Sequence, residues 1–381
     1  MVAEKHRRLL RERRTRLLDS SRPVSETAPR EGGKRPFIDR TYHDHYKALF
    51  LITIGLLLFS LITIGVTYAR TGDVIHKGVS LSGGMTITIA SDRAPFDPEA
   101  LGAELQAAFP QADIVVRETS DLGRQAGITI EAATGQNTPE ELSALEIGIL
   151  DLIERQAPDV RSRASTETVG PALGDSFFRQ TAKAVLVAFT LMGLVVFLYF
   201  GDRISHKVLV TVLTCVEAVF LWNAGNLLFL ILAILGGVAL LWCYVNWSIP
   251  SAAVILAAVS TILFTIAVVD LMGVRISTAG IAAFLMLIGY SVDTDILLSN
   301  RVLKRDEGTV YTRITSTIKT GVTMTGTTMA ASLVALIFTQ SAVIREIMTI
   351  ICIGLVADVL FTWIQNAGIL RLWLARKRGA Q

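Results

Sequence analysis

Eight apolar runs, each of roughly the length needed to cross a lipid bilayer, dominate this sequence. They lie at about 48–69, 184–200, 208–222, 227–245, 251–274, 277–298, 321–339 and 347–369. The hydrocarbon core of a bilayer is spanned by about 20 helical residues, because each residue advances a helix by about 1.5 Å. With 51% hydrophobic and 18% charged residues, the chain is also too apolar for a soluble protein. The sequence therefore predicts a polytopic helical membrane protein with about eight transmembrane helices.

The first run has the position of a secretory signal peptide but not its size. It is 22 residues long, whereas the apolar core of a signal peptide has about 7–15 residues. No convincing small-x-small cleavage site follows it. We therefore expect 48–69 to be a retained transmembrane helix. The run at 208–222 is the weakest of the predicted spans.

Lys and Arg residues are concentrated beside particular spans and predict the topology. Thirteen lie in the tail 1–47, five in the loop 299–320, and the C-terminus 370–381 is also basic. Because basic flanks stay on the cytoplasmic side, eight spans place both termini in the cytoplasm of a plasma-membrane protein. The polar segment 70–182 then lies outside, and it is acidic, with seventeen Asp and Glu against nine Lys and Arg.

The basic tail at 1–35 has no sustained periodicity. It either serves only to fix the topology or also contacts a polyanion such as anionic lipid or ribosomal RNA. Arginine clusters bind any polyanion, so no specific nucleic acid is predicted as a partner.

The segment 70–182 has an alternating order of short elements. Strands are predicted at Met85–Ala90, Ala112–Glu118, Gly127–Ala132 and Arg161–Val169, and helices at Pro98–Phe109 and Pro139–Gln156. Thr138 is a suitable N-cap for the second helix, which begins with Pro139. The order β-α-β-β-α-β is that of a ferredoxin-like fold. The predicted architecture is therefore a transmembrane bundle, 184–369, with an exterior α+β domain at 70–182.

Two carboxylates lie within the sixth apolar run. An ionisable group in mid-bilayer costs about 2.5–3.5 kcal/mol or more, so each is a functional-site candidate. Asp293 and Asp295 are two residues apart, about 200° around a helix, and cannot face the same partner. Asp295 shares its face with Ser291 and Ser299.

No sequence motif for catalysis, a cofactor or a metal is present. The three cysteines, Cys215, Cys243 and Cys352, all fall in apolar runs without metal-type spacing. There is no phosphate-binding glycine loop, nucleophile elbow or His-Glu-x-x-His sequence. We expect no enzyme, no cofactor and no metal site, and an ion gradient as the source of any energy used.

Three motifs in order carry a resemblance to a known family. They are Gly78–Gly84 after the first span, Val169–Gly174 before the second, and Gly289–Arg301 at the end of a later one. Over about 48–201 and 248–370, the chain resembles the SecF members of the SecD/SecF family of protein-export membrane proteins. This family is related to the resistance-nodulation-division transporters.

The resemblance implies a function and a set of partners. It implies an accessory subunit of the Sec translocase that assists protein export or membrane insertion, with a SecD-like partner, possible use of the proton gradient, and contacts with SecY/SecE-type channel subunits, translocating polypeptides and membrane lipids. Two alternatives stay open. They are a resistance-nodulation-division-type exporter of small molecules or lipids, and a passive channel scaffold.

The two glycine motifs have either a moving or a static role. Their key residues are Gly78, Gly83, Gly84, Gly170, Pro171 and Gly174. Each motif sits where the predicted exterior domain meets the membrane, so tight turns or a close backbone approach are expected. The motifs either form a hinge between the spans and the domain or are static turns.

The resemblance also ranks the intramembrane charges. Asp293 is favoured as the buried, proton-titrating or ion-paired group, because SecD-like relatives carry an Asp at the matching place. Asp295, nearer the cytoplasmic end, is expected to be solvated there. Asp358, in the middle of the last span, is the second candidate. The alternative for these acids is a polar clamp between helices without proton traffic.

The chain departs from the family pattern in two respects. The buried arginine of SecF relatives corresponds to Thr320, which leaves Lys319 beside it as the candidate partner of the acids. The family Asp two spans earlier corresponds to Thr261. Residues 206–245 form an inserted hairpin, since the family has six spans. These features are closer to the archaeal branch.

Overall fold

The computed structural model describes residues 46–90, 97–121, 124–134, 137–157, 160–304, 310–339 and 341–379. The elements are, in chain order, α1 (Tyr46–Thr71), α2 (Val79–Ser82), β1 (Gly84–Ala90), α3 (Pro98–Ala108), β2 (Asp113–Asp121), β3 (Arg124–Ala133), α4 (Pro139–Glu154), α5 (Val160–Arg163), β4 (Ala164–Val169), α6 (Pro171–Phe200), α7 (Ile204–Trp222), α8 (Leu227–Trp247), α9 (Ile249–Leu271), α10 (Thr278–Lys304), α11 (Val310–Phe338), α12 (Ala342–Leu360), a π-helix (Phe361–Asn366) and α13 (Ala367–Gly379). The basic tail before residue 46 lies outside the described residues.

Eight helices in the described part of the chain are long and apolar enough to cross a membrane, as predicted. They are α1, α6 to α11, and the continuous stretch from α12 to α13. The chain is thus a multi-pass membrane protein. Several helices exceed the predicted spans, because their polar ends continue past the apolar zone. Helix α6 begins at Pro171, inside the segment 70–182, and α13 carries the last helix through most of 370–381.

Residues 84–169, here called the sheet domain, form a four-stranded antiparallel sheet in the order β2-β3-β1-β4. Alternation along β1 buries Met85, Ile87 and Ile89, which pack with residues of α3 and α4. Ile87 lies opposite Ile130 of β3 in this core. The sheet therefore has one face covered by two helices, which is an α+β arrangement.

The fourth strand is shorter than predicted. Residues 161–163, predicted as its beginning, lie in the short helix α5 (Val160–Arg163). Arg161 pairs with Asp151 and, at 3.0 Å, with Glu154. These contacts hold the segment against the end of α4, so β4 starts only at Ala164. The predicted N-cap is observed, because Thr138 accepts a hydrogen bond from the backbone of Glu141.

Helices α9 and α10 form the centre of the membrane bundle. In an apolar 18-residue stretch of each helix, 56% is buried inside the protein, whereas the value for the corresponding stretches of α7 and α11 is 17%. The hairpin formed by α7 and α8 packs on α6 and α9, where the rings of Phe197 and Tyr244 lie 5.6 Å apart. The hairpin thus packs against one side of the bundle, beside the central helix α9.

Candidate functional site

The two acids of α10 face opposite directions. Asp295 is fully buried, whereas Asp293 is exposed. The predicted angle between them is observed, but the prediction that Asp293 is the buried acid and Asp295 the solvated one is wrong. Packing explains the result, because α10 turns the face with Ser291, Asp295 and Ser299 into the bundle and buries all three residues.

Asp295 is held by a residue of the last membrane helix. The amide of Asn366 donates a hydrogen bond to its Oδ1 atom at 2.7 Å. Asn366 is the last residue of the π-helical segment Phe361–Asn366. A π-helical turn inside an α-helix is rare and frequently lies at a functional site. The irregular turn therefore favours Asp295, the acid that it contacts, as a functional residue.

Asp358 lies next to Asp295 and is also fully buried, as predicted. Thr294 donates to its Oδ2 atom at 2.9 Å, and Thr362 donates to its Oδ1 atom at 3.2 Å. Thr362 also lies close to Asp295. Asp295 and Asp358, the carboxylate pair, therefore form one hydrogen-bonded group that joins α10 to the last membrane helix.

No basic side chain among the described residues forms an ion pair with either member of the carboxylate pair. Among the described residues, several buried oxygens near the pair also lack a hydrogen-bond partner: Asp295 Oδ2, Ser299 Oγ, Gln365 Oε1 and Asn366 Oδ1. Leaving a buried polar group unpaired costs about 1–3 kcal/mol, and an unpaired charge costs more. The arrangement can accept a proton, or a small cation that prefers oxygen ligands.

A conventional metal centre is not found in the part of the chain that the structure describes. There, no group of three or more His, Cys, Asp or Glu side chains could hold a metal ion. The oxygens near the carboxylate pair come instead from two acids together with amides and hydroxyls. This donor set is more suited to hydrogen bonding than to binding a transition metal.

Lys319 does not reach the carboxylate pair. Its side chain is exposed on α11 and forms no ion pair with any described residue, so the prediction of a buried ion-paired lysine is wrong. The helical period explains this, because Thr317 and Gly321 occupy the buried face of α11. The neighbouring residue Thr320 instead accepts a hydrogen bond from Arg301 at 3.1 Å.

The two glycine motifs contact each other at the base of the sheet domain. Gly83 has a φ of +83°, and a Cβ atom there would lie 2.7 Å from the Cα atom of Pro171. A Cβ atom on Gly174 would lie 2.7 Å from the backbone nitrogen of Gly83. Only glycine fits these positions without displacing the backbone. The expected close approach is observed, and movement at this point stays a prediction.

The loop between α9 and α10 is joined to the base of the sheet domain. The backbone of Gly78 donates to Ile276 at 2.8 Å, and that of Ile276 donates to His76 at 2.8 Å. Beside them, Arg275 pairs with Asp113 of β2 at 2.7 Å. These contacts connect the sheet domain to the amino end of α10, the helix that carries Asp295.

A second acidic contact at this edge was not predicted. Asp270, at the end of α9, is almost completely buried and bonded to both Thr67 and His76. Two features of the sequence could have indicated this contact. Asp270 ends an apolar run, and His76 follows the first span.

Glu346 of α12 is another functional candidate that sequence reasoning missed. Its carboxylate accepts hydrogen bonds from the backbone nitrogen of Ser277 at 2.7 Å and from the Ser277 hydroxyl at 2.8 Å. A carboxylate at the amino end of a helix interacts favourably with the helix dipole. Helices α10 and α12 are therefore joined twice, at this end by Glu346 and deeper in the bundle by the carboxylate pair.

Comparisons with known proteins agree on one family. The sequence profile described as "Protein export membrane protein SecD/SecF, C-terminal" matches residues 151–222 and 221–376. The chain is 31% identical over 331 residues to the protein-export membrane protein SecF of Pyrococcus furiosus, covering 87% of this chain and 91% of that protein. It is 29% identical over 343 residues to the protein of the same name from Methanocaldococcus jannaschii, covering 87% and 97%.

Among solved structures, the crystal structure of SecDF, a translocon-associated membrane protein from Thermus thermophilus, matches with a TM-score of 0.54 and 18% identity. The match covers 87% of this chain and 38% of the SecDF chain, so this protein spans about two fifths of that length. At this level of identity the match supports a common fold.

Proposed function

The chain belongs to the SecD/SecF family of protein-export membrane proteins, and we propose that it is the SecF-like accessory subunit of a Sec protein translocase. In this role it assists the export or membrane insertion of polypeptides together with a SecD-like partner. The relatives' common name, protein-export membrane protein, favours this function over an exporter of small molecules or lipids. We propose no catalytic reaction of its own.

The carboxylate pair carries the energetic part of this proposal. Asp295 and Asp358 are buried together without a cationic partner among the described residues. Adding or removing one proton changes the charge of this interior by one unit. An uncompensated charge in a protein interior costs several kcal/mol. Proton exchange at the pair is therefore large enough in energy to alter the packing of α10 against α12.

The same two helices provide a route from the carboxylate pair to the sheet domain. At the far end of α12, Arg345 donates to the backbone of Glu118 in β2 at 3.1 Å. The adjacent Glu346 holds the amino end of α10 through Ser277. We propose that a shift between α10 and α12 is passed through these contacts to the sheet domain, with the glycine motifs as the place where the domain moves.

We propose that the sheet domain lies outside the cell and has a ferredoxin-like fold. The strand order β2-β3-β1-β4 with α3 and α4 on one face supports the fold. The basic termini support a cytoplasmic location for both ends of the chain. In this orientation the domain is placed to meet polypeptides that emerge from the SecY/SecE-type channel.

Two exposed charges on neighbouring helices support a membrane partner. Asp293 lies in the apolar run 277–298 and Lys319 lies just before the run 321–339, and both are exposed on this chain. An acid that faces lipid inside the bilayer costs about 2.5–3.5 kcal/mol or more. We propose that the SecD-like subunit covers this surface and supplies partners for these charges. The departures from the family pattern then concern the interface as much as the interior.

The test separates the buried acid from the exposed one. Translocation of a secretory protein is measured in vesicles that contain the channel, the SecD-like subunit and this chain, with and without a proton gradient. For Asp295→Asn we expect normal recovery of the partner but loss of the gradient-dependent share of export. For Asp293→Asn we expect reduced recovery of the partner, with a normal gradient response in each complex that forms.

Two results would contradict the proposal in different ways. A full gradient response in Asp295→Asn would remove the carboxylate pair from the energy coupling and leave the accessory function intact. Export that is equally fast in vesicles without this chain would remove the accessory function itself.

A further inference from the structure

A pocket of about 420 Å³ opens at the membrane edge opposite the sheet domain. The ends of α6, α8, α10 and α13 and the beginning of α9 meet there. Its characteristic residues are Tyr199, Asp202, Trp247, Lys304, Trp373 and Lys377. The volume is in the range of about 300–1,000 Å³ that is usual for small-molecule sites. The pocket is separate from the carboxylate pair and has no place in the export mechanism described above.

The two lysines of this pocket, hereafter the edge pocket, have no acidic partner among the described residues. The ammonium group of Lys304 lies 4.0 Å from the ring centre of Tyr199, and that of Lys377 lies 5.2 Å from the ring centre of Trp373. Neither lysine forms an ion pair with a described residue. An ammonium group has three N–H donors, and contact with a ring face leaves donors available.

Asp202, the one acid among the described residues that line the edge pocket, does not neutralise it. Asp202 lies in the exposed turn between α6 and α7 and pairs with neither lysine in the described part of the chain. Two ammonium groups against one carboxylate give the lining a net positive charge. The edge pocket is therefore suited to an anion that presents several acceptor oxygens.

Aromatic residues place the edge pocket at the level of the lipid headgroups. Trp247 is stacked on His206 with ring centres 4.2 Å apart, and it forms a T-shaped contact with Trp242 with ring centres 6.0 Å apart. Tyr199 and Trp373 lie beside them in the pocket wall. Trp and Tyr are enriched where a membrane protein crosses the boundary between hydrocarbon and water. An occupant of the pocket can thus keep its acyl chains in the bilayer.

The inserted hairpin contributes one wall of the edge pocket. Trp247 and Asn246 are at the end of α8, and His206, which supports Trp247, is in the first turn of α7. The remaining walls come from helices that are not part of the hairpin. The hairpin therefore adds an aromatic wall to a basic edge of the bundle.

From these observations we propose that the edge pocket binds the phosphate group of an anionic membrane lipid. Lys304 and Lys377 contact the phosphate oxygens, and the aromatic residues contact the glycerol and the upper part of the acyl chains. Juxtamembrane basic pockets between helices are suited to anionic headgroups. The function of the inserted hairpin, in this proposal, is to complete a lipid site.

The test uses the full chain purified in a neutral detergent, with lipid binding followed by native mass spectrometry. Phosphatidylglycerol is titrated against the unaltered chain, against Lys304→Gln with Lys377→Gln, and against Arg203→Gln with Arg376→Gln. The second pair removes two charges from the same membrane edge outside the pocket lining. We expect the apparent Kd to rise by about 10- to 30-fold in the first variant and by less than about threefold in the second.

Two further ligands separate the sources of a phosphate. Phosphatidylcholine tests the need for net negative charge, and glycerol 1-phosphate tests the need for acyl chains. We expect both to bind more weakly than phosphatidylglycerol. Equal binding of phosphatidylcholine would overturn the requirement for an anionic lipid. Equal binding of glycerol 1-phosphate would reassign the pocket to a soluble phosphate ester. An equal loss in the two variants would reduce the effect to general surface charge and overturn the site.

Discussion

Two regions of the membrane bundle each bury an acid, but the hydrogen bonding around the two acids differs. Asp295 in α10 is 0% exposed and Glu217 in α7 is 3% exposed. Asp295 is held by Asn366 and lies among polar side chains of a second helix. Glu217 lies against the backbone at Gly236, and its Oε2 atom has no hydrogen-bond partner among the described residues. Burial of an acid therefore does not identify a relay, whereas a polar network between two helices supports one.

The two acids also differ in their location in the bundle. Helix α10 is at the centre of the bundle and is joined to α12 twice, at its amino end by Glu346 and deeper in the bundle by the carboxylate pair. Helix α7 belongs to a hairpin with a largely exposed apolar surface. We therefore expect a change of charge at Asp295 to be passed to helices that reach the sheet domain. A change at Glu217 is expected to remain within the hairpin.

The largest expected effect comes from removing the carboxylate pair. We expect Asp295→Asn with Asp358→Asn to lower gradient-dependent export by about tenfold or more, and to be no worse than Asp295→Asn alone. Residues that act as one unit give non-additive losses. Glu217→Gln should leave the export rate in the same vesicles unchanged. A comparable loss in Glu217→Gln would break the distinction between the two acids.

The next effect concerns the residue that holds Asp295. We expect Asn366→Leu to lower the free energy of unfolding by about 2–3 kcal/mol, because it removes a hydrogen bond to a buried acid. Asn223→Leu is the matched control, since Asn223 is exposed at the end of the hairpin helix α7. Its effect should stay within about 0.5 kcal/mol. Denaturation in detergent measures the free energy of unfolding of both variants. Equal losses of stability would show that Asn366 has no special role.

A smaller effect is expected when a buried hydroxyl is removed from each region. Thr294→Val deletes the donor to Asp358 and should lower the free energy of unfolding by about 1 kcal/mol. Thr214→Val in α7 removes a buried hydroxyl that has no partner among the described residues. It should therefore be neutral or slightly stabilising. The same denaturation experiment measures the free energy of unfolding of the two variants. A larger loss of stability in Thr214→Val than in Thr294→Val would reveal a polar network in the hairpin.

The smallest effect is expected at the glycine beside Glu217. In Gly236→Ala the new methyl group meets only the end of the Glu217 side chain, which can rotate away. We expect a loss of less than about 1 kcal/mol. In Gly354→Ala of α12, the methyl group meets the buried side chain of Leu287, and we expect about 1–3 kcal/mol. Equal losses would mean that the hairpin is packed as tightly as the centre.

Much of the architecture could be predicted because it is determined locally. The length of each apolar run gives a membrane helix, and the alternation along Met85–Ala90 gives a strand with one buried face. The N-cap at Thr138 and the elements of the sheet domain follow from spacing in the same way. Helix ends were less accurate, since polar residues extend α6 and α11 beyond their apolar segments.

The site could be predicted only in part, because it depends on distant contacts. Helical periodicity gives the angle between Asp293 and Asp295 but does not say which of them faces the bundle. That choice depends on Asn366, which is 71 positions away and lies in a π-helical segment. The contacts of Glu346 with Ser277, 69 positions apart, are of the same kind. Neither pairing leaves a local pattern in the sequence.

The π-helical segment also affects how the last membrane helix can be aligned. A π-helical turn contains about one more residue than an α-helical turn, and one residue corresponds to about 100° of rotation. Asp358 lies before the segment, and Trp373 lies after it. Heptad or face assignments carried across 361–366 will therefore be out of register by about one residue. A related sequence with one residue fewer here would keep both halves of the helix but present them at a different relative angle.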